Sequence, residues 1–298
     1  MADVRMDLAE VAKFNDSDLS IGIINDLLDS APVMAALSAK SIAGHTYNYL
    51  KKTSATGLAG FRDENSGREE NKAGYTKIAT SLKILDASFS VDVAVADADE
   101  RGVAAMLSTQ AVDHLRAAFY AAEDNLINGT GTNGFDGLAD HLAALGDMVI
   151  DGGATTNCSS VYAVRSGVNA VSSVWGASGV INIGDTSIQR IADASGSFSA
   201  YYTPVVAWAG LQVGGKYDAA RLANVSSLND DKISDLLSLF PAGGMPDYLI
   251  MNRAQLKVLQ QSRTATNPSG NPAPFPQECF GVPVIVSDAI GNAESVVS

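Results

Sequence analysis

No stretch of the chain reaches eighteen consecutive apolar residues, and its start, MADVRMDLAEVAKF, lacks the basic flank and apolar centre of a secretory leader. Neither a membrane span nor a signal peptide is therefore expected, and the chain reads as made and kept in a cytoplasm-like compartment. Cysteine is nearly absent. Cys158 and Cys279 stand 121 residues apart, and outside a secretory route they are expected to remain free thiols. Positive charge is also short, with 20 Lys and Arg against 33 Asp and Glu and a net charge of −13. Binding to a phosphate backbone needs cations that displace condensed counterions, so a dedicated nucleic-acid reader is not expected. Trp175 and Trp208 are accordingly assigned to core or sheet packing and not to base stacking. With 46% hydrophobic residues the chain is not disordered, and 298 residues suffice for two cores or for one domain with large excursions.

Signatures of chemistry are missing as well. His45, His114 and His141 show neither HxxxH nor HExxH spacing, so no metal ligand is assigned and His114 is read as a partly buried or surface residue. The run Gly129-Thr130-Gly131-Thr132-Asn133-Gly134 spells GxGxxG. It leaves a helix instead of a strand and opens none, so it is read as a helix stop and turn. No Walker lysine and no GxSxG elbow occur, and no spacing forces two carboxylates into an acid/base pair. No catalytic residue, cofactor or metal is assigned, and an enzyme is not expected.

What is present becomes visible when charge is divided along the chain. Between Lys40 and Lys83 there are eight bases and four acids, a balance of +4 that leaves −17 for the remainder. A basic excursion on an acidic body points to an acidic partner, which can be a second copy of the chain; the plainer alternative is a solvated charged loop.

Four stretches follow from periodicity and caps. In residues 1–45, an acidic arm, Ser17 or Asp18 caps a short helix carrying Leu19, Ile23, Leu27 and Leu28, and Pro32 opens another through Leu37. Residues 46–95 read as a long β-hairpin whose tip is FRDENSGREENKAG. Its return arm ends in a strict alternation of Leu85, Ala87, Phe89, Val91, Val93 and Val95 with polar or small residues, which predicts one continuous strand. Arms of about fifteen residues would reach ~50 Å, against a radius of gyration of ~19 Å for a compact globule of this size. Next comes a helix capped by Asp97 or Asp99, with Met106, Leu107, Ala111, Leu115, Ala118, Phe119, Ala122 and Leu126 at three- and four-residue steps, ~44 Å long. After Asn128 the chain mixes strands with helices. The best strand run is Ala200 to Val213, although Pro204 argues against a central position there. Asn229 or Asp230 caps a helix with Ile233, Leu236, Leu237 and Phe240; strand Tyr248 to Met251 leads through Asn252 into a helix from Arg253 to Gln261, and Val282 to Val286 is a last strand.

These pieces together resemble the major capsid protein of tailed bacteriophages, the Hong Kong 97 fold. The segment Asn125 to Leu138, with LINGTGTNGFDGL, and the module Tyr248 to Ile290, with DYLIMNRAQLKVLQ and FGVPVIVSDAI, carry the likeness, which spans nearly the whole chain. The resemblance implies an α+β fold in six parts. These are an N-terminal arm (1–45), an extended loop (46–95), a peripheral domain with a spine helix (96–130), axial-domain and connecting strands (131–189), peripheral-domain strands (190–225) and an axial domain (226–298). The strands of 190–225 come earlier than in the family's prototype, where they are last. It further implies self-assembly as pentamers and hexamers into the icosahedral head around double-stranded DNA, a virion protein put together in the host bacterial cytoplasm. With about 45 residues before the hairpin, a separate scaffolding protein and an unprocessed N terminus are expected, alongside a portal and decoration proteins, and DNA is touched only weakly and non-specifically. Inter-subunit contacts fall on the charged tip: Arg62, Asp63, Glu64, Arg68, Glu69, Glu70 and Lys72. A lysine–asparagine cross-link, as in the prototype, would use Lys72, Lys77 or Lys83, without a matching motif here. Another virion or surface-layer structural protein, and less so a small-molecule enzyme, are the alternatives.

Overall fold

In chain order the first elements are α1 (Leu8–Asn15), α2 (Pro32–Ala36), β1 (Ser38–Ser41), β2 (Thr46–Ser54), β3 (Gly74–Ser81), β4 (Lys83–Asp86), β5 (Phe89–Asp92), α3 (Val93–Ala96), α4 (Val103–Asn128) and α5 (Leu138–His141). Strands then dominate: β6 (Val149–Asp151), β7 (Ser159–Val164), β8 (Val171–Trp175), β9 (Asn182–Ile183), β10 (Ser187–Asp193), β11 (Gly196–Thr203), β12 (Val205–Val213) and β13 (Ala219–Val225). The chain closes with α6 (Asp230–Ser238), β14 (Tyr248–Met251), α7 (Arg253–Thr266), β15 (Glu278–Cys279) and β16 (Val282–Val286). This computed structural model describes residues 5–15, 31–54, 58–68, 70–176, 179, 181–193, 196–267 and 271–298. The helix expected on Leu19, Ile23, Leu27 and Leu28 lies outside the described residues.

The largest sheet runs β15-β16-β14-β7-β13-β6. Every residue of β7 and β13 is buried, as in a strand covered on both faces. Ile233 and Leu236 of α6 and Leu256 and Leu259 of α7 join that core. Both helices start as expected, because Asn229 Oδ1 accepts from Lys232 N at 3.0 Å and Asn252 Oδ1 from Ala254 N at 2.8 Å. The C-terminal segment is fastened to the same sheet. Glu294 Oε2 accepts from Arg221 Nη2 at 3.1 Å and from Ser160 Oγ at 2.5 Å, and Asn224 exchanges two hydrogen bonds with the Val297 backbone. The Arg221 guanidinium also lies 5.5 Å from the centre of the Tyr162 ring, and burial pushes the Tyr162 hydroxyl up to about 12.

A second sheet has the order β1-β8-β12-β4 with β9 added to β12, and a third is β10-β11-β5. The long helix α4 packs against β4, β5 and β12. Between the smaller sheet and α4 lies a second core of Val11, Phe89, Val91, Ala96, Met106 and Val205. Val11 belongs to α1, which the sequence reading did not foresee. Its start is a reciprocal pair in which Asp7 Oδ1 accepts from Glu10 N at 2.9 Å and Glu10 Oε2 accepts from Asp7 N at 3.3 Å.

Three expectations change. The alternating run from Leu85 to Val95 is not one strand: β4 pairs with β12, β5 pairs with β11 in another sheet, and Val93 to Ala96 turn into a helix. The breaks come from residues that the alternation placed on the polar face. Asp86 Oδ1 accepts from Ser88 N at 2.9 Å, and Asp92 Oδ1 accepts from Ala94 N at 2.8 Å, so each carboxylate turns its own backbone. The run from Ala200 to Val213 is likewise two strands with Pro204 at the joint. β12 is then central, with β4 on one side and β8 and β9 on the other, because the proline falls before its first ladder bond. Finally, neither Asp97 nor Asp99 caps the long helix. Its N-cap is Gly102 at φ 90°, and Asp99, buried, receives Arg101 Nη2 at 2.6 Å. The 26 residues of α4 span ~39 Å instead of ~44 Å. Sheet membership also divides the span 190–225, since β13 belongs to the large sheet while β10, β11 and β12 do not.

The glycine run after α4 is a helix stop. Asn125 Nδ2 donates to Phe135 O at 3.0 Å and Gly129 N to Asn125 O at 2.9 Å, folding 129–137 back onto the helix end. A Cβ at Gly129 would overlap the Phe135 carbonyl, so only glycine fits.

Glu123 is the polar centre of the body. It is 1% exposed, and its Oε2 accepts from the α2 backbone at Val33 N (2.8 Å) and Met34 N (3.1 Å) while Oε1 accepts from Ser287 Oγ (2.6 Å). Ala31, the N-cap of α2, offers no side-chain bond, so Glu123 does that work from another element. Burial raises its pKa, the three donors lower it in part, and the nearby Asp288 raises it further. Glu123→Ala strands two N–H groups and a hydroxyl and is expected to cost about 3 kcal/mol in urea unfolding. A carboxyl whose pKa is raised by folding contributes full stability below its unfolded value and loses it as pH rises through the folded one. Glu123→Gln, always neutral, is therefore expected to gain on the wild type as urea titrations move from about pH 4 to about pH 8; a constant difference would show that the carboxyl does not titrate there. Gly129→Ala is expected to lower stability by at least about 2 kcal/mol, measured the same way.

Candidate functional site

The feature that the body does not account for is the ribbon of β2 and β3. Its antiparallel register runs from Thr46 opposite Ser81 to Ser54 opposite Gly74, with an irregularity between Lys52 and Ser54. The paired arms hold nine and eight residues, so the ladder is ~30 Å long, shorter than the ~50 Å expected. The difference is taken up by a longer tip, because the strands part at Ser54 and Gly74.

No described side chain of either strand is buried. One face carries Tyr47, Tyr49 and Lys51, the two tyrosine rings stacking 5.7 Å apart, with Thr80, Ile78 and Thr76 across from them. The other carries Leu50 at 72% exposure and Tyr75 at 64%, interleaved with Lys52 and Lys77. A lone two-stranded ribbon is marginal in water, and this one lacks a covered face.

Its root, by contrast, is fixed. Leu82 N donates to His45 O at 2.8 Å, and the buried Leu82 side chain rests over Gly210 of β12. Tyr49 Oη donates to Val213 O at 2.8 Å, and Lys40 Nζ meets Tyr47 both at the hydroxyl and over the ring. Partial burial pushes the Tyr49 pKa up, with Tyr47 and Asp218 adding to the effect. A rigid base thus holds out an uncovered strip.

At the tip, Arg62, Asp63, Glu64, Arg68, Glu70 and Lys72 are all exposed, and Glu69 lies outside the described residues. They do not converge on one point. Arg62 Nη1 donates to Ser66 O at 2.9 Å and Ser66 N to Asp63 O at 3.3 Å, closing a turn in which Asn65 takes φ 59°. Among the described residues Asp63, Glu64, Glu70 and Lys72 form no ion pair within the subunit. Attention to charge missed the apolar half of this strip. Phe61 is 108% exposed and Leu58 37%, and the available signal was a phenylalanine standing inside an otherwise polar tip.

Openings in the body include two defined by their lining residues. One of about 510 Å³ lies between α2, α4 and β8, and Arg116 is the ionisable side chain on its described wall; the other, about 140 Å³, has Lys83 in that position. Neither brings together the several polar groups that small-molecule chemistry needs. Among the described residues no group of three or more His, Cys, Asp or Glu side chains is placed to hold a metal ion. Cys158 and Cys279 are buried free thiols, His114 stacks on Phe89 at 5.0 Å, Trp175 is in the core and Trp208 is 40% exposed.

A family model described as "Major capsid protein GP7" matches residues 22–298. Among solved structures, the chain is similar to one of bacteriophage Epsilon15, at 16% identity and a TM-score of 0.72 over 100% of this chain and 98% of that one. It is similar to the capsid of bacteriophage JBD30 at 12% identity and a TM-score of 0.50, covering 95% of this chain and 99% of that one. The capsid of a native GTA particle matches at 11% identity with a TM-score of 0.50, over 75% of this chain and 100% of that one. No curated protein sequence matches the chain.

Tyr49→Phe removes a hydrogen bond from ribbon to body, a loss of about 1 kcal/mol at that point. Limited proteolysis is expected to cut between residues 46 and 81 several times faster than in the wild type, with the melting temperature almost unchanged. Equal cutting rates would mean that the root is held without Tyr49.

Proposed function

The chain belongs to the major capsid protein GP7 family, and from that premise we propose that it self-assembles, as pentamers and hexamers, into the icosahedral head that encloses a tailed phage's double-stranded DNA. The reading rests above all on the ribbon: two paired strands without a buried side chain, held out from a fixed root, call for cover from another subunit. The ribbon and its tip are assigned as the extended loop, α4 as the spine helix of a peripheral domain with β10, β11 and β12, and the large sheet with α6 and α7 as the axial domain around the capsomer axes. The N-terminal arm docks on an adjacent subunit.

Charge supports the same picture. A +4 segment on a body of −17 favours laying one subunit's ribbon over another's acidic surface. Arg62, Asp63, Glu64, Arg68, Glu69, Glu70 and Lys72 are proposed as the charged rim of that contact. Each exposed pair contributes only about 0–1 kcal/mol. Weak contacts repeated over a closed shell still sum to a stable particle, and their weakness lets misplaced subunits leave during assembly. The acidic balance also lets packaged DNA lie against the inner wall without adhering.

A separate scaffolding protein and a portal are proposed partners, carried over from the family resemblance. Outer decoration is proposed because the JBD30 capsid occurs decorated with minor capsid protein trimers. The protein is placed in the virion after assembly in the bacterial cytoplasm; among the described residues no helix is long and apolar enough to cross a membrane.

Negative-stain images of the purified protein are expected to show thin closed shells, and sheets, fibres or monomers alone would defeat the proposal. The double reversal Arg62→Glu with Arg68→Glu is expected to impair shell formation while leaving a soluble subunit whose stability changes by no more than about 0.5 kcal/mol. An unaltered yield of shells would remove the charged rim from the mechanism.

A further inference from the structure

Phe61 gains no cover from its own chain, at 108% exposure, and Leu58 beside it is 37% exposed. Two apolar side chains close in sequence and exposed on an otherwise charged tip form the kind of polar-rimmed apolar spot found at interaction sites. On the body, the groove of about 510 Å³ is walled by Met34 and Ala35 of α2, Phe119 of α4, Trp175 of β8 and Ile181. Phe119 is 40% exposed there, whereas Met106, Ala118, Ala122 and Leu126 of the same helix are buried. Arg116, one turn before Phe119, is exposed at the same groove and, among the described residues, makes no hydrogen bond or ion pair.

The two surfaces complement each other. The tip offers an apolar ring followed two and three residues later by Asp63 and Glu64, both exposed and, among the described residues, without an ion pair in their own subunit. The groove offers apolar walls and, among the described residues, the unpaired cation Arg116. The neighbouring tip cation, Arg62, is directed to the Ser66 carbonyl and need not face Arg116. We propose that Phe61 of one subunit seats in the α2–α4–β8 groove of a second copy, with Asp63 or Glu64 meeting Arg116. The inference rests on the shell-forming reading above and changes its emphasis: the ring anchors the contact, as a central aromatic does in most protein interfaces, and the charged tip sets its register.

The test places the photoreactive p-benzoylphenylalanine at position 61, keeping an aromatic anchor, and irradiates assembled particles. Covalent dimers are expected on a denaturing gel, with the cross-link mapped by mass spectrometry to residues 31–39, 112–119 or 173–181 of the second subunit. Dimers mapped elsewhere, or a cross-link within one chain, would overturn the groove assignment while particles continue to form. Failure of the unaltered protein to form particles would instead overturn the shell reading. As a second measurement, Phe61→Ala is expected to raise the concentration for half-assembly at least about tenfold, and Arg116→Ala about two- to fivefold. Because Phe61 is fully exposed in its own subunit, its removal is expected to leave the fold intact, so an unchanged assembly threshold would overturn the anchor directly.

Discussion

Glu123 accepts hydrogen bonds from backbone 90 residues earlier in the chain and from a hydroxyl 164 residues later. A carboxylate taken out of water is tolerated only when its lone pairs are occupied, so the positions of α2, α4 and the end of β16 are fixed relative to one another by one side chain. The consequences spread outward. Val33 and Leu37, on either side of the α2 turn, enter the main core with Leu126 and Ile127 of α4. Met34 and Ala35 of the same turn wall the groove that faces outward. What holds the body together also shapes the surface it presents.

The ribbon obeys the opposite rule. The body is dense, with both faces of β7 and β13 covered in its largest sheet, whereas β2 and β3 leave every described side chain in contact with water. Burial of apolar area is the main favourable term in folding, and the ribbon obtains almost none of it from its own subunit. It is held at its base by Leu82 on Gly210 and by Tyr49 on Val213, which fixes direction without covering the strip. Such a part becomes stable when the surface is completed from outside, and in the proposed assembly another subunit supplies that completion. Folding and assembly are in this sense divided between two regions of one chain.

The local part of the fold was legible in the residues. Asn229 and Asn252 cap the helices expected of them, Pro32 opens its short helix, and the strands at 248–251 and 282–286 stand where their apolar runs placed them. Where the reading went astray, a side chain bonded its own backbone in a way that periodicity does not register. Asp86 and Asp92 looked like the polar face of a strand and instead end β4 and start α3. Asp99 looked like a helix cap and instead holds Arg101 two residues on. Glu123 sat unremarked within an amphipathic helix, because nothing in its spacing told a surface glutamate from a buried acceptor.

By itself, then, the sequence determined the order of elements, the helix stop at Gly129, the hairpin with its charged tip and the resemblance to capsid proteins. These depend on bonds within about four residues, on short-period patterns and on composition, all of which a linear reading contains. Only the tertiary structure decided that 85–95 is shared between two sheets, that β12 is central, that Glu123 joins three distant segments, and that Phe61 is bare beside a body with an apolar groove. Each of these depends on which distant segment comes to rest against a residue, and that choice is made by the packing of the whole core.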